Sequence, residues 1–140
     1  MIRKFEEKDK EQVMKIWLNV NIQAHHFIEE GYWRENFAAV SEMIPQSEVY
    51  VYEENEVVVG FIGLADQYIA GIFVDCTCQS KGIGAQLLEY AKERKDGLML
   101  HVYEKNVRAV SFYKREGFVV KSEQRDENTG EKEYEMYWEK

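Results

Sequence analysis

An apolar run, Ile69 to Val74, leads into Gln79-Ser80-Lys81-Gly82-Ile83-Gly84 and then into an amphipathic segment, and this succession constrains the chain more than any other feature. Ile83, Leu87, Leu88 and Ala91 recur at helical spacing, so a helix starts at or near Gly82 with its apolar stripe facing inward. The first amides of a helix lack intrahelical partners and sit at the positive end of its dipole. A strand feeding a glycine-lined helix start is therefore a site for phosphate oxygens. Gly82 and Gly84 remove Cβ atoms that would hold a pyrophosphate off the backbone, and Lys81 adds a positive charge. Tight packing is the plainer reading of two glycines taken alone. Two nucleotide motifs are excluded by spacing: Leu87 stands three after Gly84, where a dinucleotide fold needs glycine, and no Gly-Lys-Ser/Thr is present for a P-loop.

A second block follows, Asn106-x-x-Ala109-x-x-Phe112-Tyr113-x-x-x-Gly117-Phe118. Asn106 is a plausible helix cap and Gly117-Phe118 a helix end. With Phe73-Val74, Gln79, Gly82, Gly84 and Leu87-Leu88, this block resembles the two signature motifs of the GNAT superfamily of acyl-CoA-dependent N-acetyltransferases, in the same order and spacing. Cys76 departs from the pattern, standing where that family commonly has proline. The resemblance is to the small, stand-alone bacterial type, which shares an Ala-His-x-Phe-Ile segment, here Ala24 to Ile28. It implies acetyl-CoA as co-substrate, held by Phe73, Val74, Gln79, Ser80, Lys81, Gly82, Ile83, Gly84, Asn106, Ala109 and Tyr113, with no metal. It further implies a backbone amide at a strand bulge near Val74 that meets the thioester carbonyl, and the Tyr113 hydroxyl as general acid, for which a packed aromatic is the plainer alternative; Phe112, adjacent and so pointing about 100° away on a helix, reads more simply as a core anchor. The reaction so implied moves an acetyl group to a primary amine, whether a small amine, a protein lysine or an N-terminus, by direct attack in a ternary complex. A non-catalytic acyl-CoA sensor is the alternative that keeps the phosphate loop without turnover.

An alkylammonium near pKa ~10.4 is protonated at neutral pH, so such a reaction needs a group to take its proton. Asp66, Glu104, His25 and His26 are the candidates, and spacing distinguishes none of them. Asp66 reads equally as a turn residue, and the adjacent histidines read more simply as a hydrogen-bonded loop between two helices.

The remaining sequence sets the frame. Its 140 residues, 45% hydrophobic and 14% aromatic, fit one domain over residues 1–140 with a substantial core. A formal charge of −8 argues against nonspecific binding to nucleic acid or an anionic membrane and favours cationic partners such as amines. No apolar run approaches the ~20 residues of a membrane span, and the amino-terminal residues turn charged too early for a secretion signal, so a cytoplasmic location is expected. Cys76 and Cys78 are too few for a zinc site and awkwardly spaced for a disulfide; reduced structural thiols are expected. A monomer and a homodimer are both open.

Ile2 to Phe5 reads as a short strand, and Asp9 precedes a helix bearing Val13, Ile16, Trp17 and Val20 on one face. A second helix follows Gly31 and runs to Pro45, the one proline. Glu48 to Glu53 and Val57 to Ala65 form a hairpin, Ile69 to Val74 a central strand, and Leu98 to Tyr103 a strand parallel to it after a helix closed by Gly97. Phe118 to Glu123 and Tyr134 to Glu139 form a last hairpin. The expected class is mixed α/β: a largely antiparallel sheet of six to seven strands with about four helices, the acyl-CoA N-acyltransferase fold that the resemblance names.

Overall fold

The β-branched and aromatic runs become strands and the amphipathic ones helices, as a computed structural model describing all 140 residues shows. In chain order these are β1 (Ile2–Lys4), α1 (Lys10–Ala24), α2 (Glu30–Met43), β2 (Glu48–Glu54), β3 (Val57–Ala65) and β4 (Tyr68–Val74), followed by α3 (Ile83–Lys92), β5 (Gly97–Tyr103), α4 (Val107–Arg115), β6 (Val119–Arg125) and β7 (Lys132–Glu139). Seven strands make one sheet in the order β1-β2-β3-β4-β5-β7-β6. Every neighbouring pair is antiparallel except β4 and β5, the two joined by the α3 crossover.

Side chains alternate across a strand, so each face of the sheet buries its own set. One face packs Ile62, Leu64, Ile69, Leu98 and Leu100 against Ile83, Leu87, Leu88 and Ala91 of α3 and Val110 of α4. The opposite face packs Val49, Val51 and Phe61 against Val13, Ile16 and Trp17 of α1 and Trp33 of α2. Full burial of each of these large side chains is worth about 1.5–3 kcal/mol. The two cores clamp the strands from both sides, and the ends of β4 and β5 are where the clamp leaves backbone free.

Strands β4 and β5 pair only at Tyr68 with Met99 and Ile69 with Leu100. From Ala70 onward β4 keeps β3 on one edge and has no strand on the other. The sheet therefore forks there. A bulge falls in β4 at the same place, since Gly63 pairs with Gly71 and Leu64 with Ile69, which leaves Ala70 over. The bulge thus lies four residues before Val74, where it had been expected, because the register slips at the point where β5 departs.

Two other boundaries differ from the sequence reading. Gly97 does not close α3, which ends at Lys92; it begins β5, where an added Cβ would lie 3.0 Å from the Tyr137 hydroxyl. Gly31 lies inside α2, and Pro45 sits in a turn of 3-10 helix just after it.

Candidate active site

At the carboxyl end of β4, the backbone turns through a short 3-10 segment at Cys76–Cys78 and reaches Ser80 and Gly82, both in the left-handed region at φ 68° and 82°. Gly82 caps α3, and the first ladder bond runs from the amide of Gln86 to the carbonyl of Gly82 at 3.1 Å. The amides of Ile83, Gly84 and Ala85 therefore precede the hydrogen-bond ladder and face the loop. Left-handed backbone accounts for Gly82. Packing does not account for Gly84, because a Cβ there would make ordinary contacts, with Phe112 and Val74 atoms both 3.8 Å away. What its bareness leaves is open access to the helix start.

The loop is braced by side chains. Gln79 donates from Nε2 to the Val74 carbonyl at 3.0 Å, and its Oε1 accepts from Arg108 Nη1 at 3.0 Å. The other arm of the guanidinium reaches Ser80 Oγ at 2.9 Å. Arg108, on the first turn of α4, places a second exposed cation beside Lys81. No motif position marks it in the sequence; only the approach of α4 to the loop does. Phe73 stacks on Phe61 at 4.9 Å within the α1 and α2 core, so what it offers the open edge of β4 is its main chain.

In the second block, Asn106 caps α4, accepting from the Ala109 amide at 3.3 Å, while its Nδ2 meets Nε2 of His25 at 3.3 Å. The order of burial in the aromatic pair is the reverse of that expected. Tyr113 is 7% exposed, edge-on to Phe112 and Phe118, whereas Phe112 is half-buried at the mouth beside Gly84. The Tyr113 hydroxyl has no hydrogen-bond partner, and it is not among the fully enclosed polar atoms without one. Burial, with Tyr68 nearby, pushes its pKa well above the usual phenol value, which keeps it protonated.

The four candidate bases fall in different surroundings. Asp66 is exposed in the β3–β4 turn at φ 55°, at the end of β4 away from the phosphate loop. Glu104, just past β5, accepts from the Tyr134 hydroxyl at 3.0 Å and pairs with Lys132 at 3.3 Å, contacts that hold its pKa below the usual carboxylate range. His26 is exposed beside Phe27. His25 is stacked on Trp33 at 5.0 Å, and its Nδ1 lies 3.1 Å from the Asn21 carbonyl, so with Asn106 on Nε2 both ring nitrogens are engaged. Burial pulls its pKa down to about 4, which leaves it neutral at pH 7.

The fork also gathers groups that sequence spacing did not single out. Tyr68, on β4, has its hydroxyl 3.1 Å from Nδ1 of His101 on β5, and Nε2 of His101 lies 3.5 Å from Glu135 on β7. Tyr103 donates to Asp126, and Tyr32 of α2 lies near Asp126 and Glu133. This face is thus anionic and aromatic. His101 and Tyr103, polar residues two apart in an otherwise apolar strand, were a visible signal, but their partners come from strands that only the topology makes neighbours.

Neither cysteine has a base beside it. Cys76 Sγ donates to Gln23 Oε1 at 2.8 Å, and Cys78 packs beside Thr77 with its thiol free. No helix is long and apolar enough to cross a membrane.

Residues 6–140 match the acetyltransferase (GNAT) domain family. The chain is 32% identical to the peptidyl-lysine N-acetyltransferase YiaC of Escherichia coli over 120 residues, which cover 84% of this chain and 82% of that protein. Its fold superposes on the solution structure of apo YjaB from Escherichia coli with a TM-score of 0.87 at 27% identity, covering 99% and 96% of the two chains. It also superposes on the PaiA N-acetyltransferase of Thermoplasma acidophilum, solved in complex with coenzyme A, with a TM-score of 0.81 at 19% identity, over 100% and 98% of the chains.

Proposed function

Because this chain belongs to the GNAT acetyltransferase family, we propose that it transfers the acetyl group of acetyl-CoA directly to a primary amine, with protein lysine side chains as the acceptor class. The observation that carries this is the fork. An unpaired edge of β4 from Ala70 to Val74 runs straight into the free amides of Ile83 to Ala85. An extended amide-bearing arm pairs with such an edge as an added strand does, and a pyrophosphate suits such a helix start. Lys81 and Arg108 supply the balancing charge. The lysine acceptor is supported by YiaC and by the anionic face formed by Asp126, Glu133 and Glu135, which suits an ammonium group.

Acetyl-CoA supplies a thioester carbon open to attack. The chain's share is to fix that carbon at the fork, polarise its carbonyl through a main-chain amide of the bulged β4 segment, and return a proton to the departing sulfur. Tyr113 is the residue for the last step, since its hydroxyl is protonated and unpartnered and lies on α4 near enough to Tyr68 of β4 to feel its charge. With no base beside Cys76 or Cys78, an acetyl-cysteine intermediate has no support, and direct attack is the simpler route.

The test is acetyl-CoA titration by thermal shift, with thiol release measured on a lysine-containing peptide. Ligand at a hundredfold excess over Kd adds about 2.7 kcal/mol to stability, and turnover accompanies it. Unchanged melting temperature and no calorimetric heat would remove the acetyl-CoA site. Binding without turnover on any amine of a broad panel would leave an acyl-CoA sensor.

A further inference from the structure

Resting on that amine-acetylation reading, we infer that Tyr68, His101 and Glu135 form the relay that takes the proton from the attacking amine. His101 is the first β5 residue beyond the last pair that joins β5 to β4, so it stands at the apex of the fork. It points to the face opposite α3 and α4, because Leu100 and Val102 on either side of it are buried in the α3 and α4 core. Tyr68 shares that face, and it is also near enough to Tyr113 to reinforce the protonated state of that hydroxyl. The fork therefore has the proton donor on one face of the sheet and the Tyr68–His101 pair on the other. An amine entering from the α1 and α2 side meets the relay, while the sulfur leaves toward α4.

The placement of Glu135 gives the transfer its direction. Glu135 sits directly opposite His101 in the β5–β7 register, and a carboxylate at 3.5 Å from Nε2 favours the tautomer with the proton on that nitrogen. Nδ1 then carries the lone pair and accepts from the Tyr68 hydroxyl at 3.1 Å. When an ammonium group meets Tyr68, its N–H bond breaks and the proton joins the Tyr68 oxygen, as the Tyr68 O–H proton moves to Nδ1. The amine keeps the electron pair it needs for attack, Tyr68 ends as a neutral phenol, and the imidazolium faces Glu135. As the tetrahedral adduct collapses, its nitrogen loses a second proton, which makes good the one that Tyr113 gives to the departing sulfur, and water takes up the relay proton after product leaves. None of the candidates drawn from spacing combines these features. His25 has both nitrogens engaged, Glu104 is paired with Lys132, and Asp66 lies in an exposed turn.

The titratable groups around His101 on this face are Tyr68 on β4, Tyr103 on its own strand with His25 edge-on to it, Glu133, Glu135 and Tyr137 on β7, and Lys121 of β6 over the Tyr137 ring. Beyond them lie Asp126, bonded to Tyr103, and Tyr32 of α2, near Glu133.

The experiment measures kcat/KM for a lysine-containing peptide from pH 6 to 9 in wild type, His101→Gln and Tyr68→Phe, with the acetyl-CoA thermal shift of each variant as the check on folding. Wild type is expected to level off once the relay is unprotonated. His101→Gln must wait for amine deprotonated in solution, so its rate should continue to rise about tenfold per pH unit toward the amine's own titration near ~10.4. At pH 7 a loss of roughly ten- to a thousand-fold is expected in both variants, with the thermal shift retained. Wild-type turnover with parallel pH profiles in wild type and His101→Gln would overturn the relay and leave the acetylation reading standing. Tyr68→Phe with the wild-type rate and profile would overturn it equally. Absence of turnover in wild type on every amine would overturn the acetylation reading itself.

Discussion

On the α3 side of the fork the exposed donors belong to the main chain, namely the amides of Ile83 to Ala85 and the open edge of β4, with Lys81 and Arg108 adding charge beside them. On the α1 and α2 side the chemistry belongs to side chains gathered from α2, β4, β5 and β7. A site made of backbone presents the same donors whatever its side chains are, so long as nothing covers them. A site made of side chains exists only while each is present and held in place. The first is broken by adding atoms and the second by removing them, and this asymmetry orders the expected effects.

Adding atoms gives the largest. Gly84→Ala fits the fold, since the nearest atoms to its Cβ lie 3.8 Å away. Gly84→Glu adds a carboxylate and three more heavy-atom bonds of length at the helix start. It should fold and lose acetyl-CoA binding altogether, read as the absence of a thermal shift at saturating acetyl-CoA. Normal binding by the folded variant would move the phosphate site elsewhere.

Tyr113 is the one side chain of the α4 side proposed to move a proton, so it tests whether that side's part in the transfer is played by backbone alone. Tyr113→Phe keeps the ring against Phe112 and Phe118 and removes only the hydroxyl. Because that hydroxyl has no protein partner, its loss leaves nothing unpaired. A fall in kcat of roughly ten- to a thousand-fold is expected with acetyl-CoA affinity unchanged, measured where chemistry limits the rate. A wild-type kcat would assign Tyr113 to packing.

The same asymmetry explains what could be read from the sequence. Strand, glycine pair and helix are contiguous, so the helix start at Gly82, the α3 crossover and the parallel β4–β5 pair were all legible in Ile69 to Tyr103. The Asn106 cap and the Gly117 turn at φ 95° were legible for the same reason, being local backbone chemistry. The bulge at Ala70 was not, because it depends on how β4 registers on β3. Nor was the Tyr68–His101–Glu135 line, whose members are spread over three strands that become neighbours only after β7 inserts between β5 and β6. Two adjacent histidines drew the eye to residues 25 and 26, whereas burial on Trp33 and two hydrogen bonds give His25 the geometry of a strut between α1 and α4.

That strut sets the next effect, on stability. Burial lowers the His25 pKa from 6.5 to about 4, so the unfolded chain binds the proton more tightly than the folded one. Stability from neutral His25 is fully present above pH 6.5 and is lost as pH falls through the window down to about 4. The loss is at most about 3 kcal/mol, less what partial solvent access removes. Denaturant melts of wild type and His25→Ala at pH 7 and pH 4.5 should show the variant less stable at pH 7 and the gap narrowing at pH 4.5. A gap that stays constant would mean the ring is already charged, or solvated, in the folded protein.

The smallest effect is expected where neither addition nor removal touches either side of the fork. Cys78 lies between β4 and the phosphate loop and packs at the margin of the α3 core. Thr77 Oγ1, its one polar neighbour, is 3.6 Å away and is itself bonded to Asp75 at 2.8 Å, so nothing there can strip the thiol of its proton. A thiolate, not a thiol, is the nucleophile that a covalent route needs. Cys78→Ala removes one sulfur from a half-buried position and leaves the loop braces from Gln79 and Arg108 in place. Its kcat should stay within about twofold of wild type, since no proton-transfer or binding group is lost. Mass spectra of wild type quenched during turnover should show no acetyl adduct on a peptide containing Cys76 or Cys78. Loss of turnover in Cys78→Ala together with such an adduct would replace direct attack by a two-step transfer, and would make this loop a working part of the reaction on the strength of a side chain.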